Sequence, residues 1–181
     1  MDKLNQVSHS FSLVLNDNEL HLFKDARYIR NKFMTGDYSC SYFACIYHDK
    51  DIDDDGNLKT PHFHVVLDML NRMRVGTMIS YVSDLFHCNE NQISCEKCND
   101  IGAQTRYLVH LDDCDKYPYS ELDIVTSSPN AVKEFLLYFQ IRSDMDLLNL
   151  IDRYPSRKEI FKRIGAKQYK KYSFIIRDLI Y

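Results

Sequence analysis

Histidine and aspartate side chains are concentrated in residues 48–67, HDKDIDDDGNLKTPHFHVVL, around one turn between two apolar segments. Within it, His62 and His64 alternate with Phe63 and Val65. Alternate side chains of a strand point to the same face, so the two imidazoles would share one face while Phe63 and Val65 point to a core. Two imidazoles on one face can bind a single cation. The spacing therefore predicts a metal site on this strand.

A second group of candidate ligands precedes the turn, in the tetrapeptide HDKD at residues 48–51. A hairpin would bring this segment beside the histidine pair, which makes His48, Asp49 and Asp51 candidate partners. Two or three imidazoles with a carboxylate suit Mn²⁺, Zn²⁺ or, less well, Mg²⁺. The alternative is a chance histidine pair on a surface strand beside a solvated acidic turn. The position of HDKD one hairpin earlier favours the metal site.

Hydrophobic patterns predict the elements that would position these residues. The expected strands cover residues 9–15, 41–48, 61–69 and 92–98, and the expected helices 16–33, 74–86 and 101–111. The Asp-Gly-Asn sequence at 55–57 predicts a turn between the second and third strands. The resulting fold class is α+β: an antiparallel sheet of ferredoxin or RRM type, with the histidine pair on a central strand and helices packed mainly on one face.

Beyond about residue 127 the sequence predicts only helices, which cover residues 128–140, 144–154, 155–165 and 167–181 and are separated at Pro129, Pro155 and Gly165. We expect a boundary that divides a domain of residues 1–125 from a small helical module of residues 126–181. Residues 155–181 carry eight Lys and Arg against two acidic residues. A DNA contact and a solvated helix face explain this basic segment equally well, and oligomerisation is a further role for the module.

Bulk composition limits the class of protein. No apolar run approaches the roughly eighteen residues of a membrane span, and the first ten residues lack the pattern of a secretory signal. The six scattered cysteines are expected to be free thiols in a reducing cytoplasm. Cys95 and Cys98 have the spacing of half a zinc site, without a second such pair. No glycine-rich phosphate-binding loop is present, so ATP hydrolysis is not expected.

Three motifs, in this order and spacing, resemble those of the single-tyrosine rolling-circle plasmid replication initiators of the HUH endonuclease superfamily. They are HDKD at 48–51, PHFHVVL at 61–67 and TRYLVHL at 105–111. HUH stands for His-hydrophobe-His, here His62-Phe63-His64. The resemblance extends over roughly residues 8–125 and weakens beyond residue 130.

The resemblance implies a site and a reaction. Its metal ligands would be His48, Asp51, His62 and His64, and the divalent ion Mn²⁺ or Mg²⁺. Tyr107 would attack the scissile phosphate, giving a 5′-phosphotyrosine and a free 3′-OH that primes synthesis. The implied partners are plasmid origin DNA, single-stranded or hairpin at the nick site, a host helicase and polymerase, and a second copy in a homo-oligomer. No membrane partner is expected.

Tyr107 is one of thirteen tyrosines. Helical periodicity alone places it at the margin of a buried stripe through Leu108 and Leu111, where a tyrosine usually packs at a core edge with its hydroxyl hydrogen-bonded. The motif favours the nucleophile instead. His110 stands where related viral initiators carry a lysine, and its role is open. With one tyrosine in the motif, a two-tyrosine mechanism is not supported.

Two alternatives to the plasmid initiator remain at this point. An HUH transposase or relaxase would use the same chemistry, although the relaxase motif has a third histidine and an earlier tyrosine. A non-catalytic origin-binding or copy-control protein would keep the fold and only recognise DNA. The complete ligand set and Tyr107 argue against that second alternative.

Overall fold

The computed structural model describes residues 3–16, 21–53, 55–113, 116–137 and 143–180. The strands are β1 (Val7–Asn16), β2 (Cys40–His48), β3 (His62–Arg74), β4 (Ile93–Lys97) and β5 (Val125–Thr126). The helices are α1 (Ala26–Thr35), α2 (Val75–Phe86), α3 (Ile101–Tyr107), α4 (Pro129–Leu137), α5 (Asp144–Arg153) and α6 (Arg157–Leu179). Short 3-10 helices cover Lys3–Asn5, Glu90–Gln92 and Glu121–Asp123.

The strands form one antiparallel sheet in the order β4-β1-β3-β2-β5. The chain order β1-α1-β2-β3-α2-β4, with β3 and β1 in the middle of the sheet, is that of the predicted ferredoxin-like fold, which is therefore confirmed. The histidine pair lies on β3, as predicted. Because β3 is hydrogen-bonded on both sides, its backbone holds the two imidazoles on a fixed support.

Each face of the sheet contributes to its own hydrophobic core. On the first face, alternate residues of β1 and β3, such as Leu13 and Val65, pack with α1 and α2. On the second face, Ala44, Ile46 and Val66 pack with buried residues of α4, α5 and α6. The expectation of helices mainly on one face is therefore wrong. The apolar sides of the C-terminal helices need burial, and the second face of the sheet supplies it.

The first helix begins ten residues later than predicted. Positive φ angles at His21 (47°) and Lys24 (54°) are incompatible with a continuous helix. Asp25 then caps α1, its side chain accepting a hydrogen bond from the backbone N–H of Tyr28 at 2.8 Å. Residues 17–20 of the predicted helix lie outside the described residues.

The C-terminal helices also differ from the prediction. The expected break at Gly165 is absent, and α6 runs from Arg157 to Leu179. A glycine weakens a helix by only about 1 kcal/mol, and burial of Ile160, Ile164 and Ile176 on the same helix offsets that loss. The predicted division at residue 125 stays a prediction, although α4, α5 and α6 share their core with the sheet.

A short fifth strand completes the sheet. The two-residue strand β5, which pairs with β2, was not predicted, because a segment so short has no hydrophobic period.

Among the described residues, no helix is both long enough and apolar enough to cross a membrane. The described cysteines, Cys40, Cys45, Cys88, Cys95 and Cys98, are free thiols. Cys114 lies outside the described residues.

Candidate metal centre and nucleophile

The hairpin of β2 and β3 brings three imidazoles to one face of the sheet. Its register sets His48 directly opposite His62, and paired residues of antiparallel strands point to the same side. His64, two residues further along β3, shares that side. Phe63 and Val65 point to the other side and are buried in the first core. The structure thus brings together the predicted histidines, with the predicted alternation.

Asp51 joins the histidines from the loop that follows β2. Its Oδ2 lies 3.2 Å from His48 Nδ1 and 3.9 Å from His62 Nε2. One ligand atom each from His48, Asp51, His62 and His64 lies within 4.8 Å of the others, and all four residues are buried. Asp49, the other candidate carboxylate, is exposed and is not part of the group. This cluster of four could hold a metal ion.

The two histidines of β3 have the spacing of neighbouring metal ligands. His62 Nε2 and His64 Nε2 lie 3.1 Å apart, and two nitrogens about 2.1 Å from one ion are roughly 3.0–3.4 Å apart. His62 donates its Nδ1–H to the carbonyl of Thr60 at 2.8 Å. In the neutral ring, this hydrogen bond leaves the Nε2 lone pair directed at the cluster. Such a hydrogen bond behind a ligand fixes its tautomer and orientation.

A nitrogen lone pair of His48 faces a carboxylate oxygen of Asp51, and a cation between them would remove the repulsion. His48 donates Nε2–H to the carbonyl of Leu108 at 2.7 Å, and burial lowers the pKa of its ring to about 4. At neutral pH its Nδ1 therefore directs a lone pair at Asp51 Oδ2. Asp51 Oδ1 is also buried, with no hydrogen-bond partner among the described residues. A buried carboxylate in this state is costly, so the donor set fits a divalent cation.

His64 is also held in the form that binds metals. Burial, with smaller contributions from the charges of His48 and His62, places the pKa of His64 well below its usual value. A neutral imidazole is the ligand form of histidine. The described environment therefore provides neutral nitrogens and one carboxylate, a set that suits Mn²⁺ or Zn²⁺ better than Mg²⁺.

Tyr107 is the last residue of α3 and lies beside this cluster. Its half-buried ring is 5.5 Å from the ring of His64, centroid to centroid, in an edge-on arrangement. Its hydroxyl oxygen accepts a hydrogen bond of 2.6 Å from the ammonium of Lys116, which also lies 3.2 Å from a carboxylate oxygen of Asp113. The position of Tyr107 at the margin of the buried residues agrees with the helical periodicity.

The helix that carries Tyr107 is shorter than predicted. The expected helix 101–111 ends at Tyr107 because His110 adopts a left-handed conformation, with φ of 51°. The turn that follows directs the Leu108 carbonyl at His48. It also packs the ring of His110 against that of His48, at 4.6 Å between centroids. The left-handed residue therefore joins the helix that carries Tyr107 to the histidine cluster.

Sequence reasoning missed three contributors to this site. Lys116 was not considered, and His110, which donates Nδ1–H to the Tyr117 carbonyl at 2.8 Å, had no assigned role. The ring of Tyr119 stacks parallel to that of His48, with centroids 4.1 Å apart. A basic residue soon after the tyrosine motif was the available signal for Lys116. No pattern connects Tyr119 with a histidine seventy residues earlier.

Comparisons with known proteins identify a family of similar chains. The family model described as "Plasmid replication protein, origin binding domain" matches residues 31–131. The chain is 25% identical over 143 residues to a "Replication protein" of Onion yellows phytoplasma (strain OY-M), covering 72% of this chain and 34% of that protein. It is 26% identical over 89 residues to a "Replication protein" of Staphylococcus aureus, covering 49% of this chain and 42% of the relative.

A third relative is the "Replication protein RepB" of Lactiplantibacillus plantarum, 32% identical over 79 residues, covering 44% of this chain and 34% of that protein. The chain thus spans between about a third and two fifths of the length of these relatives. The resemblance to plasmid replication initiators, first noted in three short motifs, is confirmed. Since the family model covers more than half of the chain, this protein belongs to the family of plasmid replication proteins with an origin-binding domain.

Proposed function

We propose that this protein nicks and rejoins one strand of plasmid origin DNA, with Tyr107 as the nucleophile and a divalent cation, Mn²⁺ or Mg²⁺, held by His48, Asp51, His62 and His64. The observation that carries the proposal is the position of Tyr107, whose ring lies 5.5 Å from that of His64. A phosphate bound at the cluster would lie beside the ring of Tyr107.

The reaction exchanges one phosphodiester bond for another. The Tyr107 oxygen attacks phosphorus, its proton passes to solvent, and the bond between phosphorus and the 3′ oxygen of the preceding nucleotide breaks. That oxygen takes a proton from solvent and becomes the free 3′-OH, while the 5′-phosphate stays on the tyrosine. A bound divalent cation would stabilise negative charge on a phosphoryl oxygen. Because the phosphotyrosine keeps the bond energy, the same step in reverse rejoins the strand.

Lys116 assists the Tyr107 oxygen in this proposal. Its ammonium already donates to the Tyr107 oxygen at 2.6 Å, so it stabilises the negative charge that develops there as the proton leaves. It also holds the hydroxyl in place, since the ammonium is itself fixed by Asp113 at 3.2 Å. In this chain Lys116 would supply the cation next to the nucleophile, since His110, and not a lysine, stands at the position of the viral motif's lysine.

The released 3′-OH would prime leading-strand synthesis, which makes the protein an initiator of rolling-circle replication. A host polymerase and a helicase would then act on the nicked origin. A transposase or relaxase would share the site but act on different DNA. A non-catalytic origin-binding protein would keep the fold and only recognise DNA, without using Tyr107 as a nucleophile.

The test uses supercoiled plasmid with the candidate origin, purified protein and Mn²⁺. Open circles should form with protein covalently attached, and mass spectrometry should find the nucleotide adduct on Tyr107. Tyr107→Phe should abolish the adduct and leave folding intact, since it removes one partly exposed hydroxyl worth about 1 kcal/mol or less. Tyr117→Phe, which alters an exposed hydroxyl in the neighbouring loop, is the matched control and should react normally.

Two results would contradict the proposal. An adduct on Tyr117 or Tyr119 would exclude Tyr107 as the nucleophile while leaving the metal site. Tight origin binding with no nicking under any divalent metal would instead identify a non-catalytic origin-binding protein.

A further inference from the structure

A polar groove lies between the β1–β4 edge of the sheet and α3, with a volume of about 250 Å³. Its inner wall includes His64 and Tyr107. The remaining polar side chains in its lining are those of Ser12, Ser94, Glu96 and Gln104. Whatever strand reaches the metal cluster and the tyrosine would therefore continue into this groove.

The strand register explains why the groove is polar. Ser12 pairs with Glu96 across β1 and β4, and on the other side with Val66 of β3. These residues therefore share the face of the sheet that carries the histidine pair. The β2–β3 part of that face is covered by the C-terminal helices. The β1–β4 part is left open beside α3, and polar side chains occupy it.

Among the described residues, the lining has hydrogen-bonding groups but no lysine or arginine. Gln104 Oε1 accepts from Ser12 Oγ at 3.3 Å, and the amide nitrogen of Gln104 supplies the donor of this side chain. Glu96 Oε1 meets the exposed ammonium of Lys3 at 2.8 Å at the rim, and Oε2 is left to accept. A carboxylate in the lining repels phosphates, whereas a donor beside an acceptor matches the edge of a base.

We propose that this groove binds the base of a nucleotide adjacent to the scissile phosphate, and that Glu96 and Gln104 select a base with an exocyclic amine over thymine. The inference rests on the proposed function, because the strand must enter through the tyrosine site. Adenine, cytosine and guanine each present an amine that can donate to Glu96. Thymine has a single N–H between two carbonyl oxygens, which would face the carboxylate. Unpaired bases are open to recognition along this edge.

The experiment is a binding selection, so that it does not depend on nicking. The 181-residue chain is incubated with a randomised single-stranded DNA library in EDTA, and the bound sequences are read for wild type and Glu96→Gln. Wild type should show one position at which thymine is depleted at least about fivefold. In Glu96→Gln that depletion should fall below about twofold, while preferences at all other positions persist. Deoxyuridine placed at the same position should be rejected like thymine, since both lack the amine.

Glu134→Gln is the matched control, since it makes the same charge change on an exposed residue of α4 away from the groove. It should keep the wild-type preference. Equal thymine depletion in wild type and Glu96→Gln would overturn the inference, as would a loss of preference in Glu134→Gln of the same size. If the selection succeeds but no nicking is seen in the plasmid assay, the groove stands and the proposed catalysis fails. If nicking occurs without any thymine depletion, only the groove assignment fails.

Discussion

Asp51 carries a buried carboxylate oxygen, Oδ1, without a hydrogen-bond partner among the described residues. Such a group makes the metal-free protein less stable than it would be with an ion in place. At the scale of single residues, this links metal binding to stability. It also provides a test of the ligand set that is independent of DNA.

Asp51→Asn should weaken metal binding without destabilising the metal-free protein by more than about 1 kcal/mol, because it removes an uncompensated charge. Mn²⁺ at a hundred times its dissociation constant should stabilise wild type by about 2.7 kcal/mol. The variant should need a much higher concentration for the same gain. Thermal unfolding with and without Mn²⁺ measures both effects.

Asp53→Asn is the control for this experiment. The Asp53 side chain accepts the backbone N–H of Asn57 at 2.8 Å and that of Asp55 at 3.0 Å, and an asparagine oxygen can accept both. Its metal dependence should match wild type. If both variants lose Mn²⁺ stabilisation equally, the acidic loop acts as a diffuse charge and not through one ligand.

His62→Ala and His64→Ala should each lower the nicking rate by at least about a hundredfold, because each removes a proposed ligand of the cation that stabilises phosphoryl charge. Origin binding should change little, since DNA affinity comes mainly from other contacts. Rates on supercoiled DNA and a gel-shift assay separate the two effects. His9→Ala, an exposed histidine on β1, is the control. Nicking at the wild-type rate by either cluster variant, in buffer cleared of trace metal, would refute the metal site.

Lys116→Met should slow single-turnover cleavage by about a hundredfold or more, the usual effect of removing one charge-stabilising donor. Lys116→Arg should recover most of the rate because it restores a cationic donor. A purely structural role would instead lower the melting temperature and leave the rate per folded molecule unchanged. The lysine is partly exposed, with a 33% accessible side chain, so we expect a small change in melting temperature.

At the scale of elements, the turn after α3 decides how Tyr107 and the histidine cluster are joined. His110 has a φ of 51°, which glycine adopts freely and alanine does not. His110→Ala and His110→Gly both remove the ring, so they differ only in the backbone. His110→Ala should be the less stable by about 1 kcal/mol in urea unfolding. Equal stability would show that the turn relaxes to another conformation once the ring is gone.

The same elements show how far the sequence predicts this site. The proximity of the histidine pair and HDKD was predicted because alternation along β3 and the hairpin geometry are local properties, whereas Tyr107 was predicted only from the family resemblance. The end of α3 could not be predicted, since a left-handed histidine is stabilised by its ring contacts with His48 and Tyr107. The start of α1 was misplaced for a similar reason. Apolar residues at helical spacing continued through a segment that turns at His21 and Lys24.

At the scale of the whole molecule, the C-terminal helices and the sheet bury each other. Ile160 of α6 is fully buried in the core that also holds Ile46 and Val66 of the sheet. The sequence predicted the helices but not this packing, because it does not record which surface an amphipathic helix will cover. The basic residues of α6 suggested a DNA contact, whereas its buried apolar residues fix the position of the helix on the sheet.

Ile160→Ala should destabilise the protein by about 2–5 kcal/mol, the usual range for a buried isoleucine cut to alanine. Circular dichroism and tyrosine fluorescence should show a single transition at the same lowered denaturant midpoint. Phe174→Ala on the same helix is the control and should change stability by less than about 0.5 kcal/mol, since Phe174 is 67% exposed. Two separate transitions would instead show that residues 126–181 fold as an independent module.

The hydrogen bond from His48 Nε2 to the carbonyl of Leu108 limits how the site could be redesigned. A cysteine or glutamate at position 48 could still reach an ion, but neither offers an N–H to the carbonyl of Leu108, the residue after Tyr107. A substitution meant to change the metal preference of the proposed site would therefore have to begin at His64. The same restriction applies to natural variants: a substitution at position 48 would have to be accompanied by a change in the turn after Tyr107 that gives the Leu108 carbonyl another donor.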